Sequence, residues 1–212
     1  MGAVPLQNRC DPFGELHAVP ARGTMMGNRG GRFHRPDRTL GRRRWASQHW
    51  ICCVLDWKGW HHEPMGGGYT SVFFLDEVTA LAGGHRPCFF CRRRDARRFV
   101  DLSAADSAPA LDRLAHAERR GPRPRLSATA AERLPDGAMV ALDGRPWARS
   151  GGAWLPWDFS GYGAASSDLT ASTGPGAGEA GEAGVIELLT PPAYLAVLTA
   201  GFEPQWHPTA AR

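Results

Sequence analysis

The fold is decided in residues 73–92, which read FFLDEVTALAGGHRPCFFCR. Three apolar residues end a strand pattern, and Asp76 then supplies a side chain of the type that caps a helix N-terminus. The pattern predicts a short helix over 77–82, which Gly83 and Gly84 would end. Two cysteines follow at a spacing of three, directly before an arginine-rich segment. The stretch therefore predicts a strand, a helix and a metal-binding turn in succession.

Cys88 and Cys91 form a Cys-x-x-Cys turn just before a predicted helix. This spacing allows two thiolates to bind one tetrahedral zinc ion, and the positive end of a helix dipole favours their negative charge. The alternatives are two packed thiols or a thioredoxin-like redox pair. The redox pair requires a βαβ context that the surrounding sequence does not show. The spacing therefore favours a metal.

The other ligands must come from elsewhere in the chain. Cys52 and Cys53 lie in a strand-like run, where adjacent side chains point to opposite faces, so only one of them can join the site. We favour Cys53 as the third ligand and expect Cys52 to be a small buried residue. A histidine or a water would complete the set, and we select His34. The full set of candidates is His34, His49, His61, His62 and His85, with Cys10 less favoured.

Basic residues are concentrated in the first two thirds of the chain, and arginine supplies nearly all of them. Residues 1–149 contain 24 basic and 15 acidic residues, a net charge of +9, whereas residues 150–212 contain one basic and six acidic residues, a net charge of −5. This asymmetry indicates a polyanionic partner for the first part. The predicted nucleic-acid-binding residues are Arg42, Arg43, Arg44, Arg92, Arg93, Arg94, Arg97 and Arg98. The alternative is a set of solvated surfaces beside core tryptophans.

The pattern changes from Leu134 onwards. Turn signals at 136–137, 143–144 and 151–152 separate three short strand patterns, which predict a β-meander or a small barrel. Residues 170–184 are rich in Gly, Ala and Glu and predict a flexible loop. We therefore expect an α+β protein with two domains. They are an N-terminal zinc-knuckle domain over residues 1–125 and a C-terminal β-rich domain over 130–212.

Residues 73–92 resemble the end of the Ada-type metal-binding domain of bacterial alkylation-response regulators. That family has a strand, an acidic-capped helical turn and then aromatic-Arg-Pro-Cys-x-x-Cys. Four cysteines hold its zinc, and one of them accepts a methyl group from a DNA phosphotriester. The resemblance implies that Cys88 and Cys91 are the second ligand pair, with Cys52 or Cys53 in place of the first. The family has Cys-x-x-x-Cys there, so the methyl-accepting cysteine has no secure equivalent in this chain.

The wider layout, including ARGTMMGNRG at 21–30 and LPDGAMVALDG at 134–144, also resembles a group of uncharacterised bacterial proteins.

The amino-acid composition excludes several classes of protein. Hydrophobic residues make up 42% and charged residues 22%, which argues against wholesale disorder. The apolar runs are too short for a transmembrane helix, and the N-terminus lacks a signal-peptide pattern, so we expect a cytoplasmic protein. An odd number of cysteines, five, argues against a disulfide framework.

These observations predict a zinc-stabilised nucleic-acid-binding protein, with DNA as the favoured partner and a link to DNA repair or the alkylation response. The zinc would be structural. Two alternatives stay open at this point. One is an enzyme that acts on modified DNA or on a nucleotide through a thiolate or a zinc-bound water. The other is a metal-free protein-interaction module in which the thiols are core residues.

Overall fold

The computed structural model describes residues 4–59, 62–169 and 184–210. These residues form an α+β structure with two six-stranded sheets, as the sequence predicted at the level of fold class. Trp60 and His61 lie outside the described ranges. The predicted flexible loop at 170–184 does so as well, except for its last residue.

The first sheet has the strand order β2-β1-β5-β3-β4-β6. Antiparallel pairs join β1 to β2 and join β3 to both β4 and β5, whereas β1 with β5 and β4 with β6 are parallel. The parallel β4–β6 pair is the one that matters for the site, because the Cys-x-x-Cys turn directly follows β6. The strands are β1 (Arg9–Cys10), β2 (Leu16–His17), β3 (Met25–Arg29), β4 (Trp50–Val54), β5 (Val72–Phe74) and β6 (Arg86–Pro87).

The first helix, α1 (Glu77–Ala82), has the bounds that the sequence predicts. The Asp76 side chain accepts a hydrogen bond from the Thr79 backbone N–H at 2.9 Å, as expected of an N-cap. All six residues of this helix are buried. The remaining helices are α2 (Arg93–Asp101), α3 (Ala108–Glu118), α4 (Ala128–Glu132) and α5 (Pro192–Thr199).

The second sheet is antiparallel throughout and has the order β11-β10-β9-β8-β12-β7. The predicted meander is confirmed as β8, β9 and β10. The barrel is not, since among the described residues the sheet has two open edges, β11 and β7. Its strands are β7 (Arg125–Leu126), β8 (Met139–Leu142), β9 (Arg145–Ser150), β10 (Ala153–Asp158), β11 (Gly161–Tyr162) and β12 (Ile186–Leu188).

Helix α1 packs between the two sheets. Leu75 and Val78 belong to the same buried apolar cluster as Met139 and Leu155 of the second sheet. The two halves of the chain therefore share a core, and the division into domains at 125–130 stays a prediction. None of the helices in the described ranges combines the length and apolar character needed to cross a bilayer.

Candidate metal centre

Three cysteines converge at one end of β4. Cys53 comes from β4, and Cys88 and Cys91 come from the turn between β6 and α2. Their sulfur atoms all lie within 4.8 Å of one another. Sulfurs that share one tetrahedral zinc ion at about 2.3 Å lie about 3.8 Å apart. Small side-chain rotations would therefore bring all three onto one ion, and the donor set is compatible with zinc.

Backbone hydrogen bonds set the shape of the turn. The Cys88 N–H donates to the Cys52 carbonyl at 2.9 Å, which continues the β4–β6 pairing up to the first ligand. The Phe90 N–H donates to Cys88 Sγ at 3.3 Å, and the Arg92 N–H donates to the Cys88 carbonyl at 2.9 Å. A peptide N–H directed at sulfur favours the thiolate form. The turn thus presents Cys88 as an anionic ligand.

The three thiols also affect one another's protonation. Hydrogen bonds from the Cys53 and Cys91 thiols lower the pKa of Cys88 to about 2. The same contacts raise the pKa of Cys53, with its hydrogen bond to Cys88 as the largest cause. The pKa of Cys91 is also raised. Of the three thiols, Cys88 is therefore the one that these hydrogen bonds favour as a thiolate. A bound divalent cation would favour the thiolate form of all three residues.

Cys52 lies on the opposite face of β4 from this cluster. It is fully buried and packs among apolar residues of the first sheet, including Val72 and Phe74. Burial raises the pKa of its thiol well above the ordinary value. The alternation argument is confirmed: Cys53 joins the cluster, and Cys52 is a small core residue.

His34 does not join the cluster. Its Nδ1 lies 2.7 Å from Thr70 Oγ1 and its Nε2 lies 3.0 Å from the Gly66 carbonyl, so both ring nitrogens are engaged elsewhere. Its selection as the fourth ligand is therefore not supported. The sequence indicated only that a histidine was available. In the structure the His34 ring links its own loop to the loop that contains Gly66 and Thr70.

The other predicted histidines have separate surroundings. His49 Nδ1 lies 2.7 Å from the Asp112 carboxylate, and His85 is buried beside Arg29. His62 stacks on the Tyr69 ring at 4.1 Å, and its buried Nε2 has no hydrogen-bond partner in the described part of the chain. It lines a cavity of about 230 Å³ that Cys53 and Cys91 also line. Among the described histidines that the sequence predicted, His62 is the one that shares a cavity with the cysteines, although its ring nitrogens do not lie in the 4.8 Å group of the three sulfurs.

Aromatic rings form much of the wall of this cavity. Besides the two cysteines and His62, it is lined by Trp57, Tyr69, Phe73 and Phe90. A cavity with apolar walls and a few convergent polar atoms is the usual form of a small-molecule site. The cysteine cluster thus borders space that a ligand or a substrate group could occupy.

The predicted arginines separate into exposed and buried groups. On α2, the exposed residues follow a spacing that places them on one helix face; they are Arg93, Arg94, Arg97 and Arg98. Arg98 also donates to the Gly201 carbonyl at 2.8 Å. Arg42 and Arg43 are exposed in the segment before β4.

Arg92 and Arg44 do not lie on the predicted phosphate-binding surface. The Arg92 guanidinium is buried and donates to both Glu77 carboxylate oxygens, at 2.6 and 2.8 Å. Its charge is therefore used to neutralise a buried carboxylate. Arg44 donates to the Gly41 carbonyl and lines a separate cavity near Trp50. Helical spacing alone cannot distinguish a buried arginine at a helix start from its exposed neighbours.

Two arginines that sequence reasoning did not select flank Trp50. The Arg29 and Arg119 guanidinium carbons lie 4.0 and 3.8 Å from the Trp50 ring centroid. Arg29 occupies an inward position of β3, whose side chains alternate between buried and half-buried in the structure; the preceding residues 25–27 (MMG) do not show that alternation in the sequence. A charged residue at such a position indicates a specific role. Arg119, at the end of α3, offers no comparable local signal.

Comparison with known proteins adds no identification: no family model, no curated protein and no solved structure matches this chain.

Proposed function

We propose that this protein binds one zinc ion through Cys53, Cys88 and Cys91 and uses the arginines of α2 to bind DNA. The observation that carries the proposal is the convergence of three sulfurs at the start of the helix that bears those arginines. In this proposal the zinc is structural and the protein acts in the cytoplasm.

The cysteine turn controls where α2 begins. The helix starts two residues after Cys91, so an ion held by this cysteine and by Cys53 of β4 would tie the helix start to the first sheet. Ala96 and Phe99 bury the opposite face of α2. Because the helix is already fixed in position, it loses little conformational entropy when its charged face binds a partner.

The exposed face of α2 suits phosphate contacts. Four of its nine residues are exposed arginines, and among the described residues none of these four is in an ion pair. Arginine forks match phosphate oxygens, and each phosphate that a protein neutralises releases condensed counterions. Binding is therefore expected to weaken steeply as salt rises.

Metal analysis of the protein as purified tests the zinc. We expect one zinc ion per chain by inductively coupled plasma mass spectrometry. The metal should be lost in Cys53→Ala and retained in Cys52→Ala. The two variants form a matched pair, because they alter adjacent cysteines of the same strand. A native protein without metal, or equal retention in both variants, would contradict the zinc site and favour the metal-free interaction module.

Salt-dependent binding to duplex DNA tests the surface. Removing one phosphate-contacting arginine should reduce the slope of log affinity against log salt by about 1. We expect this change in Arg94→Gln and in Arg97→Gln, and no change in Arg113→Gln on α3, which is also exposed. Affinity that does not depend on salt would contradict the DNA-binding proposal.

A second candidate is an enzyme or methyl acceptor that acts on modified DNA. It is favoured by the cavity of about 230 Å³ that Cys53 and Cys91 share with four aromatic side chains. In methyl transfer a thiolate sulfur would attack the methyl carbon, forming an S–C bond while the O–C bond to a phosphotriester breaks and a phosphodiester leaves. Intact mass after incubation with methylated DNA decides this candidate, because capture of the methyl adds about 14 Da. An unchanged mass would contradict methyl transfer.

A further inference from the structure

Arg29 is a fully buried cation without a carboxylate partner. It is 1% exposed, and no carboxylate of the described residues lies within ion-pair distance of its guanidinium. Its donors reach neutral acceptors instead: the carbonyls of Gly14 (2.6 Å) and Arg44 (3.3 Å), and His85 Nε2 (3.2 Å). The remaining acceptor is Cys10 Sγ at 3.1 Å. Burial raises the pKa of that thiol to about 12, so the thiol brings no charge.

Arg119 is a second cation beside Trp50, and it too has no carboxylate within ion-pair distance in the described ranges. Its terminal nitrogens donate to the Gly84 carbonyl at 3.4 Å and to the Gln48 carbonyl at 3.0 Å, and one of them lies 2.7 Å from His116 Nδ1. Its Nε is buried and has no acceptor in the described part of the chain. Burial lowers the pKa of Arg119 to about 10, so the group is still charged at neutral pH. A buried N–H without an acceptor is costly unless something else supplies one.

Both arginines line a cavity of about 130 Å³ with a surplus of positive charge. Three more arginines line the same cavity: Arg44, Arg120 and Arg123. The carboxylates that line it are those of Glu15 and Glu118. Glu118 is already used, since both of its oxygens accept from the Ala193 N–H at 3.1–3.2 Å. Five guanidinium groups against two carboxylates leave three positive charges without compensation among the lining residues.

The size and shape of the cavity restrict what can enter it. Its volume is several times the roughly 30 Å³ that one water occupies in the liquid, and below the roughly 300–1,000 Å³ of cavities that enclose drug-sized ligands. A group of a few heavy atoms, such as a phosphate, fits within this volume. Trp50 and Trp45 form an aromatic wall beside the cations.

We propose that this cavity binds the terminal phosphate of a phosphomonoester. A dianionic phosphate would offset two of the three uncompensated positive charges. Its oxygens are acceptors of the kind that Arg119 Nε–H lacks and that the exposed Arg120 can use. A phosphodiester carries one negative charge and two substituents, so it matches the charge and the small recess less well. The cavity shares no lining residue with the cysteine cluster or with the arginine face of α2, so the proposal does not depend on zinc or DNA binding.

Titration calorimetry with inorganic phosphate in a chloride buffer of constant ionic strength tests the site. We expect saturable binding at one site per chain. Loss of one charged hydrogen bond corresponds to about a tenfold loss of affinity. We therefore expect about that loss in Arg120→Gln, and a larger loss in Arg119→Gln. Arg113→Gln, an exposed arginine of α3 that does not line the cavity, should bind phosphate as the native protein does.

Two further arms distinguish the ligand. Glycerol phosphate should bind about as well as inorganic phosphate, and dimethyl phosphate, a diester, at least tenfold more weakly. Duplex DNA should not displace bound phosphate. No binding of phosphate, equal binding in Arg113→Gln and Arg120→Gln, or displacement by duplex DNA would each overturn the proposal. Arg120→Gln keeps the test valid if Arg119→Gln fails to fold, because Arg120 is exposed and outside α3.

Discussion

The two sheets of this protein are stabilised by different means. Buried polar and charged residues are concentrated in and around the first sheet, where they include Arg29, Asp76, Glu77, His85, Arg86, Arg92 and Asp112. In the second sheet itself the buried polar side chains of the described chain are fewer. They are Ser150 and Thr190, together with the Tyr162 hydroxyl, which donates to Asp76 at 2.9 Å across the boundary with α1. Apolar packing is sufficient to form a scaffold. Buried charges need specific partners, and such networks restrict geometry.

Two buried ion pairs flank the cysteine turn in the first region, by which we mean the first sheet with α1, α2 and α3. Before Cys88, the Arg86 guanidinium donates to both Asp112 oxygens at 2.8 Å and so holds β6 against α3. After Cys91, the Arg92–Glu77 pair holds the start of α2 against α1. An ion pair on each side of the turn therefore fixes the position of the thiols, because a buried charge cannot leave its partner without a large loss of free energy. Paired buried charges thus flank the cysteine cluster, whereas the second sheet contributes mainly apolar packing and part of the wall of the arginine cavity, including Leu188 and Thr190.

The largest effect is expected from breaking the Arg92–Glu77 pair. Glu77→Ala leaves the Arg92 guanidinium buried, with the Asp95 carboxylate, whose side chain is 36% exposed, as its remaining carboxylate partner among the described residues. Removing one partner of a buried pair costs about 3–5 kcal/mol. Urea unfolding should show this loss in the free energy of unfolding. The affinity of the variant for zinc should also be lower than that of the native protein. A loss below about 1 kcal/mol would mean that the first region does not depend on its paired charges.

An apolar truncation in the second sheet should have a smaller effect of a different kind. Leu155 is 4% exposed and lies in the core that α1 shares with this sheet. Leu155→Ala should cost about 3 kcal/mol through lost burial and a residual cavity. Because no charge is involved, the loss should be the same at low and high salt. Zinc content should stay at the native value, whereas a fall would show that the two regions are not separable.

The pH dependence of stability should distinguish the regions further. Burial, and then the nearby charges of Arg29 and Arg119, lower the pKa of His85 well below its ordinary value. The folded state therefore holds this histidine neutral, and its contribution to stability is present above the unfolded pKa of about 6.5 and is lost as the pH falls below it. At pH 5.5 the loss is about 1 kcal/mol.

Buried carboxyl groups with raised pKa values, such as Asp76, change the free energy of unfolding with pH in the opposite direction. The effect of His85 is therefore measured as the difference between the pH profiles of the native protein and His85→Gln. The variant should lose less stability than the native protein between pH 7 and 5.5. Parallel pH profiles for the two proteins would contradict this assignment.

The smallest effect is expected at an exposed ion pair of the first region. Arg38 and Glu63 contact each other with side chains 45% and 64% exposed. Exposed pairs contribute about 0–1 kcal/mol, so Glu63→Ala should change the free energy of unfolding by about 0.5 kcal/mol or less. It serves as the matched control for Glu77→Ala. A loss as large as that of the buried pair would mean that burial is not what distinguishes them.

Local patterns predicted most of the secondary structure. Helix α1 with its Asp76 cap, the helix after the cysteine turn and the three-stranded meander all lie where the sequence placed them. Caps, turn glycines and period-two alternation act over a few residues, so they can be recognised without the fold. The same alternation separated Cys53 from Cys52, because adjacent side chains of a strand cannot face the same side.

The site was predictable only as far as those local rules extend. His34 was a reasonable ligand by residue type, but its ring nitrogens are taken by Thr70 and Gly66. Arg92 follows the spacing of its exposed neighbours, yet it pairs with Glu77, fifteen residues earlier. Neither outcome can be derived from spacing, since both depend on which loop or helix packs against the residue.

By itself the sequence determined an α+β chain with a Cys-x-x-Cys turn before an arginine-rich helix, because the signals for strands, caps and turns are local. Only the tertiary structure decided that Cys53 meets Cys88 and Cys91, and that Arg29, Trp50 and Arg119 surround one cavity. The physical reason is distance along the chain. Contacts between residues tens of positions apart follow from how sheets and helices pack, and packing satisfies buried charge and volume over the whole molecule.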